Sequence, residues 1–337
     1  MSATAAPAPS VPAELADPAI PLIDEEAVGA CALCGGHAFD GFARGFDYEL
    51  RTCRNEWVFR RCTVCDHVQL DPRPPASALG VIYPPHYYSY NMEKEVSPIA
   101  LKGKEILDRM KFGSILSFLG RKPRSFVDIG CGDGHYLRHM ERAEGVPRER
   151  LYGLELSDKT VARLRGEGYQ AFNERAETCE SIPAGGVDLA TMFHVIEHVA
   201  DPAAVARKVS GWLAPGGIFA IETPNLDALD ARLFKATFWG GYHIPRHWHL
   251  FREKTLRAML EGAGLEVVAM RYQTGHSFWM YSFHHLLRYR LGMVGLSRWF
   301  DPVKGLPFLI LFTGFDKLRA LLGLRTSAIL AIARKPV

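Results

Sequence analysis

The segment Val127-Asp128-Ile129-Gly130-Cys131-Gly132-Asp133-Gly134 constrains this chain more than any other. It reads as a short hydrophobic strand with an acid near its end, then glycine at every second position. The residues from His135 to about Glu144 have helical character. The chain must therefore turn tightly from strand into helix, and a ligand can approach its main chain closely. Glycines suit such a turn because side chains would block the ligand and because some positions require positive φ. A dinucleotide fingerprint runs G-x-G-x-x-G and sets a pyrophosphate on the helix N-terminus. Here the third glycine comes one residue early, and Asp128 stands two residues before the first. A carboxylate at the strand end repels a pyrophosphate. It suits a ligand carrying an ammonium and a sulfonium, which points to S-adenosylmethionine (SAM).

Strand and helix patterns alternate from this turn onward. Strands are expected at 126–129, 151–156, 170–173, 187–193, 217–222, 266–273 and 328–333, with helices such as 158–167, 202–213 and 253–262 between them. Five βα units and two final strands imply an α/β fold with a doubly wound, Rossmann-like sheet of seven strands, its ligand at the carboxyl ends of the strands. An earlier helix is expected over about 99–119, with Ile106, Met110, Ile115 and Leu119 near helical spacing. The domain reading is a disordered tail (1–28), a zinc ribbon (29–75), a connector with a cap helix (76–120), and the large domain (121–337). The tail reading follows from Ala, Pro and acids without Lys or Arg. It lacks the basic and apolar regions of a secretory signal, so a cytoplasmic protein is expected.

The ribbon rests on two C-x-x-C pairs, Cys31/Cys34 and Cys62/Cys65, with 27 residues between them. Two such knuckles bring four thiolates around one tetrahedral zinc, and a closed site of this kind is structural. Strands are expected between them at 39–42, 48–52 and 57–61. Disulfides are disfavoured in a reducing cytosol. Cys53, Cys131 and Cys179 read as small residues filling space.

The segment from about 126 to the C-terminus resembles class I SAM-dependent methyltransferases, in the bacterial branch of ubiquinone-type O-methyltransferases and of polysaccharide and natural-product enzymes. The residues that carry this are the glycine turn, Gly153-Leu154-Glu155, Phe193-His194-Val195-Ile196-Glu197-His198-Val199-Ala200-Asp201-Pro202, Leu213-Ala214-Pro215-Gly216-Gly217 and Glu222-Thr223-Pro224-Asn225. The resemblance implies that Asp128 and the main chain of Gly130, Cys131, Gly132 and Gly134 hold the methionine part of SAM. It implies that Glu155 accepts both ribose hydroxyls, with Leu156 beside it. The adenine contact falls at Ala176, although the frequent Asp-aliphatic pair is not found there. Phe193 and His194 lie beside the cofactor.

His194-Val195-Ile196-Glu197-His198 has the H-x-x-E-H form of an inverted zinc-peptidase motif. Its place at a strand end in a SAM fold speaks against that reading. Two others stay open: a divalent metal near Glu197 and His198, with His194 or a histidine of His247-Trp248-His249, or simple bracing of the loop backbone. The aromatic stretch from Phe238 to Phe251 follows the fifth strand, where acceptor pockets form. Trp239, Tyr242 and Arg246 are candidate pocket walls, and Tyr87 and Tyr88 candidate lid residues. A histidine near its ordinary pKa suits a hydroxyl acceptor as base. His247 ranks first and His194 second.

The function expected is methyl transfer to a small-molecule, sugar or glycan/lipid-linked acceptor, O-directed. Two other readings are an RNA methyltransferase gripping RNA with Arg51, Arg54, Arg60, Arg61 and Arg73, and a non-catalytic scaffold. A net charge of +3 argues against nucleic acid, and the intact glycine turn argues against a scaffold. No apolar run of about 18 residues is present to span a bilayer. An apolar run at 305–315, inside an insertion at about 276–325, is either a buried cap or a peripheral contact with membrane or lipid-linked substrate.

Overall fold

The computed structural model describes residues 11–84, 98–302 and 305–337. Four strands form a small sheet: β1 (Phe39–Gly45), β2 (Trp57–Cys62), β3 (Val68–Leu70) and the distant β9 (His249–Leu250). The other seven are β4 (Phe126–Ile129), β5 (Leu151–Leu154), β6 (Gln170–Phe172), β7 (Val187–Phe193), β8 (Leu213–Pro224), β10 (Glu266–Gln273) and β11 (Ala328–Arg334). They lie in the order β6-β5-β4-β7-β8-β11-β10. The pairs among β4 to β8 are parallel, while β11 runs antiparallel to both neighbours. The order reverses at β4, so the crevice opens at the carboxyl ends of β4 and β7, where a doubly wound sheet takes its ligand.

Helices α1 (Pro98–Leu119), α2 (His135–His139), α3 (Asp158–Gly166), α4 (Pro202–Trp212) and α5 (Glu253–Gly262) surround this sheet. Local chemistry starts them. Ser157 accepts from Thr160 N at the head of α3, and Asp201 accepts from Ala204 N ahead of Pro202 in α4, each satisfying an amide that the helix leaves open. On α1 the buried stripe is Asp108, Phe112 and Ile115, and Met110 is exposed. Asp108 turns inward because it pairs with His135 Nε2 at 2.8 Å.

Two readings change. Residues 48–52 form a turn, because Asp47 accepts from the amides of Leu50 (3.0 Å) and Thr52 (2.8 Å). Such local side-chain bonds compete with a strand ladder. Residues 11–28 are packed rather than disordered. Leu15 is buried with Phe46 and Tyr48, Glu14 pairs with Arg288 at 2.6 Å, and Glu26 bridges to Arg73. A core of Trp57, Phe59 and Leu70 with Trp239, Tyr242 and Trp248 joins the small sheet to the large domain.

Candidate active site

The glycine turn closes over the end of β4. Gly130, Gly132 and Gly134 have φ of 73, 51 and 85°, a region that L side chains rarely adopt. A Cβ on Gly130 would lie 2.4 Å from Val195, and one on Gly134 2.4 Å from Leu164. A Cβ on Gly132 would meet nothing within 4 Å. The first and third glycines therefore serve packing, and the middle one faces open space. Asp128 is buried at the strand end and accepts from Thr191 Oγ1 at 2.8 Å. Glu155, just past β5, accepts from the amides of Gly132 (3.1 Å), Leu156 (2.8 Å) and Ser157 (3.0 Å). The carboxylate is thus fixed against the turn itself, with the exposed Leu156 beside it.

At the end of β7 the chain again enters the left-handed region, at His194 with φ 54°. This turns the imidazole between two acids. Nδ1 stands 3.4 Å from Glu197 Oε1, and Nε2 stands 3.4 Å from Glu222 Oε1. Burial opposes a charge there, but hydrogen bonding to Glu197 and Glu222 outweighs it and holds His194 up to about 9. Burial likewise opposes ionisation of Glu222, yet the Lys111 ammonium at 2.5 Å, with His194, brings it down to about 2. Lys111 also lies over the Phe193 ring. Glu222 against His194, and Lys111 against Glu222, are neighbours of the site that were not singled out from the sequence. Glu222 opens the Glu-Thr-Pro-Asn motif, which was the available signal.

A family model described as a methyltransferase domain matches residues 104–270. The ubiquinone biosynthesis O-methyltransferase of Cupriavidus pinatubonensis is 30% identical over 182 residues, which cover 50% of this chain and 70% of that protein. The chain belongs to the class I SAM-dependent methyltransferases. A probable SAM-dependent methyltransferase of Mycolicibacterium smegmatis is 30% identical over 148 residues, 43% of this chain and 52% of that protein. The chain thus spans about half the length of that relative. A solved SAM-dependent methyltransferase of Archaeoglobus fulgidus aligns with a TM-score of 0.44 at 16% identity, over 68% of this chain and 94% of that one.

The remaining predicted residues are placed as follows. The Cys131 side chain packs beneath the turn against Gly153 and Leu137, away from the open face, and burial raises its thiol pKa. Ala176 lies in the core beside Cys179 and Ile182. Phe193 rings with Tyr136 at 5.4 Å. Trp239 and Tyr242 line only a small cavity with Glu49 and His243, and Arg246 is closed off from it. Trp239 donates to Asp230, Tyr242 donates to Lys235 O, and Arg246 is fully buried with two nitrogens on Asp47 at 3.1 and 2.9 Å. Tyr87 and Tyr88 lie outside the described residues. His247 is also enclosed: its side chain is 7% exposed against 44% for His194. Burial, with the charges of His198 and His243, pushes its pKa well down. His194 is open to solvent and His247 is not.

The ribbon cysteines converge. Cys31 and Cys65 sulfurs are 3.5 Å apart, those of Cys34 and Cys62 3.6 Å, and all four lie within 4.8 Å of one another. A tetrahedral zinc with Zn–S of about 2.3 Å needs sulfurs about 3.8 Å apart. The knuckles share one backbone design. Gly35 N donates to Cys31 O and Cys31 N to Gly36 O, as Asp66 N does to Cys62 O and Cys62 N to His67 O.

A second cluster joins Glu197, His198 and His247, whose ligand atoms also lie within 4.8 Å. His247 Nδ1 faces Gly241 O at 2.8 Å, and His198 Nδ1 faces Arg246 O at 2.9 Å. A carbonyl only accepts, so each Nδ1 carries the proton. Burial keeps both rings neutral, His198 down to about 4, which leaves a lone pair on each Nε2. Glu197 Oε2 accepts from Thr223, and buried Oε1 faces His194 Nδ1 at 3.4 Å. His247 Nε2 is 3.9 Å from Oε1.

Proposed function

We propose that this methyltransferase transfers the SAM methyl group to a hydroxyl oxygen of a small-molecule, sugar or glycan acceptor at the mouth of the crevice beside His194. SAM supplies the methyl group on a sulfonium that any aligned nucleophile can displace in line. Asp128 and the main chain of Gly130, Gly132 and Gly134 would hold its amino-acid end, and Glu155 its ribose. The protein's part is then alignment and proton handling. The observation that carries the O-directed reading is the exposed imidazole of His194 set between Glu197 and Glu222. That pair of acids orients the ring and keeps it protonated at neutral pH, so His194 takes the hydroxyl proton from its minor neutral form, and turnover should rise as pH climbs towards about 9.

The relatives named as ubiquinone O-methyltransferases support the same direction. The RNA reading loses its main support. Arg51, Arg60, Arg61 and Arg73 each stand against a carboxylate, of Glu14, Asp71, Asp40 and Glu26. We also propose a structural zinc in the four-cysteine cluster. The second cluster is proposed to hold a divalent cation, since two imidazole lone pairs and a buried carboxylate converge within 4.8 Å, with backbone carbonyls and Thr223 fixing them from behind. Such an ion would brace the active-site turn and add positive charge near the acceptor.

The test is product formation from methyl-labelled SAM and a panel of phenol, sugar and amine acceptors, read by mass spectrometry. O-methylated product is expected from the wild type. His194→Ala should lower turnover by about 10²–10⁴-fold at unchanged SAM affinity, the range of a lost general base. Full turnover by His194→Ala, or label appearing only on nitrogen, would overturn the proposal.

A further inference from the structure

Between β10 and β11 the chain builds a helical hairpin of α6 (His276–His285) and α7 (Leu306–Leu321), linked through a short turn of helix at Val294–Ser297. Its inner side is an aromatic stack. Phe312 lies 5.6 Å from Trp279 and nearly parallel to it, and Phe308 lies 4.4 Å from Phe300. Asp316 points inward too, fully buried, and accepts from Trp279 Nε1 and Gly275 N. The outer side of α7 is equally apolar but bare. Ile310 is 62% exposed and Leu321 86%, and Trp299 in the linker is 61% exposed. Of the 21 large apolar residues exposed among those described, 12 fall between Leu291 and Leu324. A helix apolar on every side is ordinarily enclosed, and a patch this concentrated marks an interaction surface.

The charges around the patch say what covers it. Arg290 and Arg298 are exposed in the linker, and Lys317 is exposed on the same stripe of α7 as Ile310 and Leu321, while the exposed Arg325 faces Asp227. From 286 to 325 the acids are Asp301 and the buried Asp316. An isologous pairing with a second copy would set this cationic rim against itself. A sheet of anionic headgroups over hydrocarbon matches it, with an exposed Trp at the boundary as such surfaces favour. Among the described residues no helix is long and apolar enough to cross a membrane, so a contact with a bilayer through this hairpin would be peripheral.

We propose that the outer face of this hairpin is a peripheral docking surface for anionic phospholipid bilayers. Ile310, Leu321 and Trp299 enter the acyl boundary, and Arg290, Arg298 and Lys317 meet the phosphates. Docking brings the acceptor crevice to the lipid surface, because α6 carries Phe278 to 6.2 Å from the His194 ring. The docking is independent of the methyl-transfer reading, since neither SAM nor acceptor takes part.

Sedimentation of the full chain with vesicles tests it. Vesicles of phosphatidylcholine with about a third phosphatidylglycerol should bind the protein about tenfold more strongly than phosphatidylcholine alone, and molar salt should weaken binding. Ile310→Ser with Leu321→Ser should weaken it about tenfold while SAM affinity, unchanged, reports an intact fold. Absence of vesicle binding, or equal binding by the double variant, would overturn the proposal. So would a dimer in light scattering that the double variant converts to monomer, which would give the face to a second copy.

Discussion

At the scale of single residues, the backbone dictates the residue type wherever sequence reading succeeds. Gly130 and Gly134 are legible because their positive φ and the nearness of Val195 and Leu164 leave no room for a Cβ. Glu155 is legible because it follows a strand whose length the pattern defines. His247 was misjudged because its burial depends on packing that no local pattern encodes. The same packing makes it a candidate ligand instead of a base. Glu197→Gln keeps the shape of the buried side chain and removes the anion between two imidazole lone pairs. Elemental analysis should find one zinc per chain in this variant and, in the wild type, a further divalent ion lost on Glu197→Gln, because outer and inner partners of a metal each change affinity about tenfold or more. Equal metal content in the two proteins would remove the second site.

At the scale of elements, the helices and strands of the large domain follow hydrophobic period and capping residues, and the expected strands at 126–129, 187–193 and 266–273 match their observed bounds. The two-residue β9 was not legible, because it is defined only by pairing with β3 across 180 residues of chain, and β3, paired also with β2, is too short to show a strand pattern. That pairing ties the ribbon to the catalytic side. β3 leaves the second knuckle directly, Leu70 N donates to Trp248 O, and Trp248 N donates to Glu197 O. Zinc in the knuckles would therefore steady the loop that carries His247. Cys31→Ser should lose about one zinc per chain, and hydrogen exchange at the Leu70 and Trp248 amides should quicken. Exchange unchanged after zinc loss would show that β3 and β9 hold together without the ribbon.

At the scale of the whole molecule, the tail, ribbon and large domain share buried polar ties that sequence could not reveal. Asp47 and Arg246 are far apart in the chain, yet form a fully buried two-pronged pair. Burial alone would raise the Asp47 pKa, but the Arg246 charge and hydrogen bonds bring it from 3.8 to about 2. A carboxyl depressed in the folded state stabilises above its unfolded value and loses that contribution as pH falls through the folded one, on the order of 2 kcal/mol here. In urea unfolding, the advantage of the wild type over Asp47→Asn should be full at pH 6 and shrink as pH drops below about 4. A constant gap would place the stabilisation elsewhere.

The claim on which the rest stands is that the crevice at the carboxyl ends of β4 and β7, lined by the glycine turn and Glu155, holds SAM. Calorimetry of SAM against the full chain and against Glu155→Ala tests it most directly. One molecule of SAM per chain is predicted for the wild type. Affinity should fall about ten- to a hundredfold in the variant, as expected for lost hydrogen bonds to a charged group. Equal affinity in the two proteins, or no binding to the wild type, would contradict it.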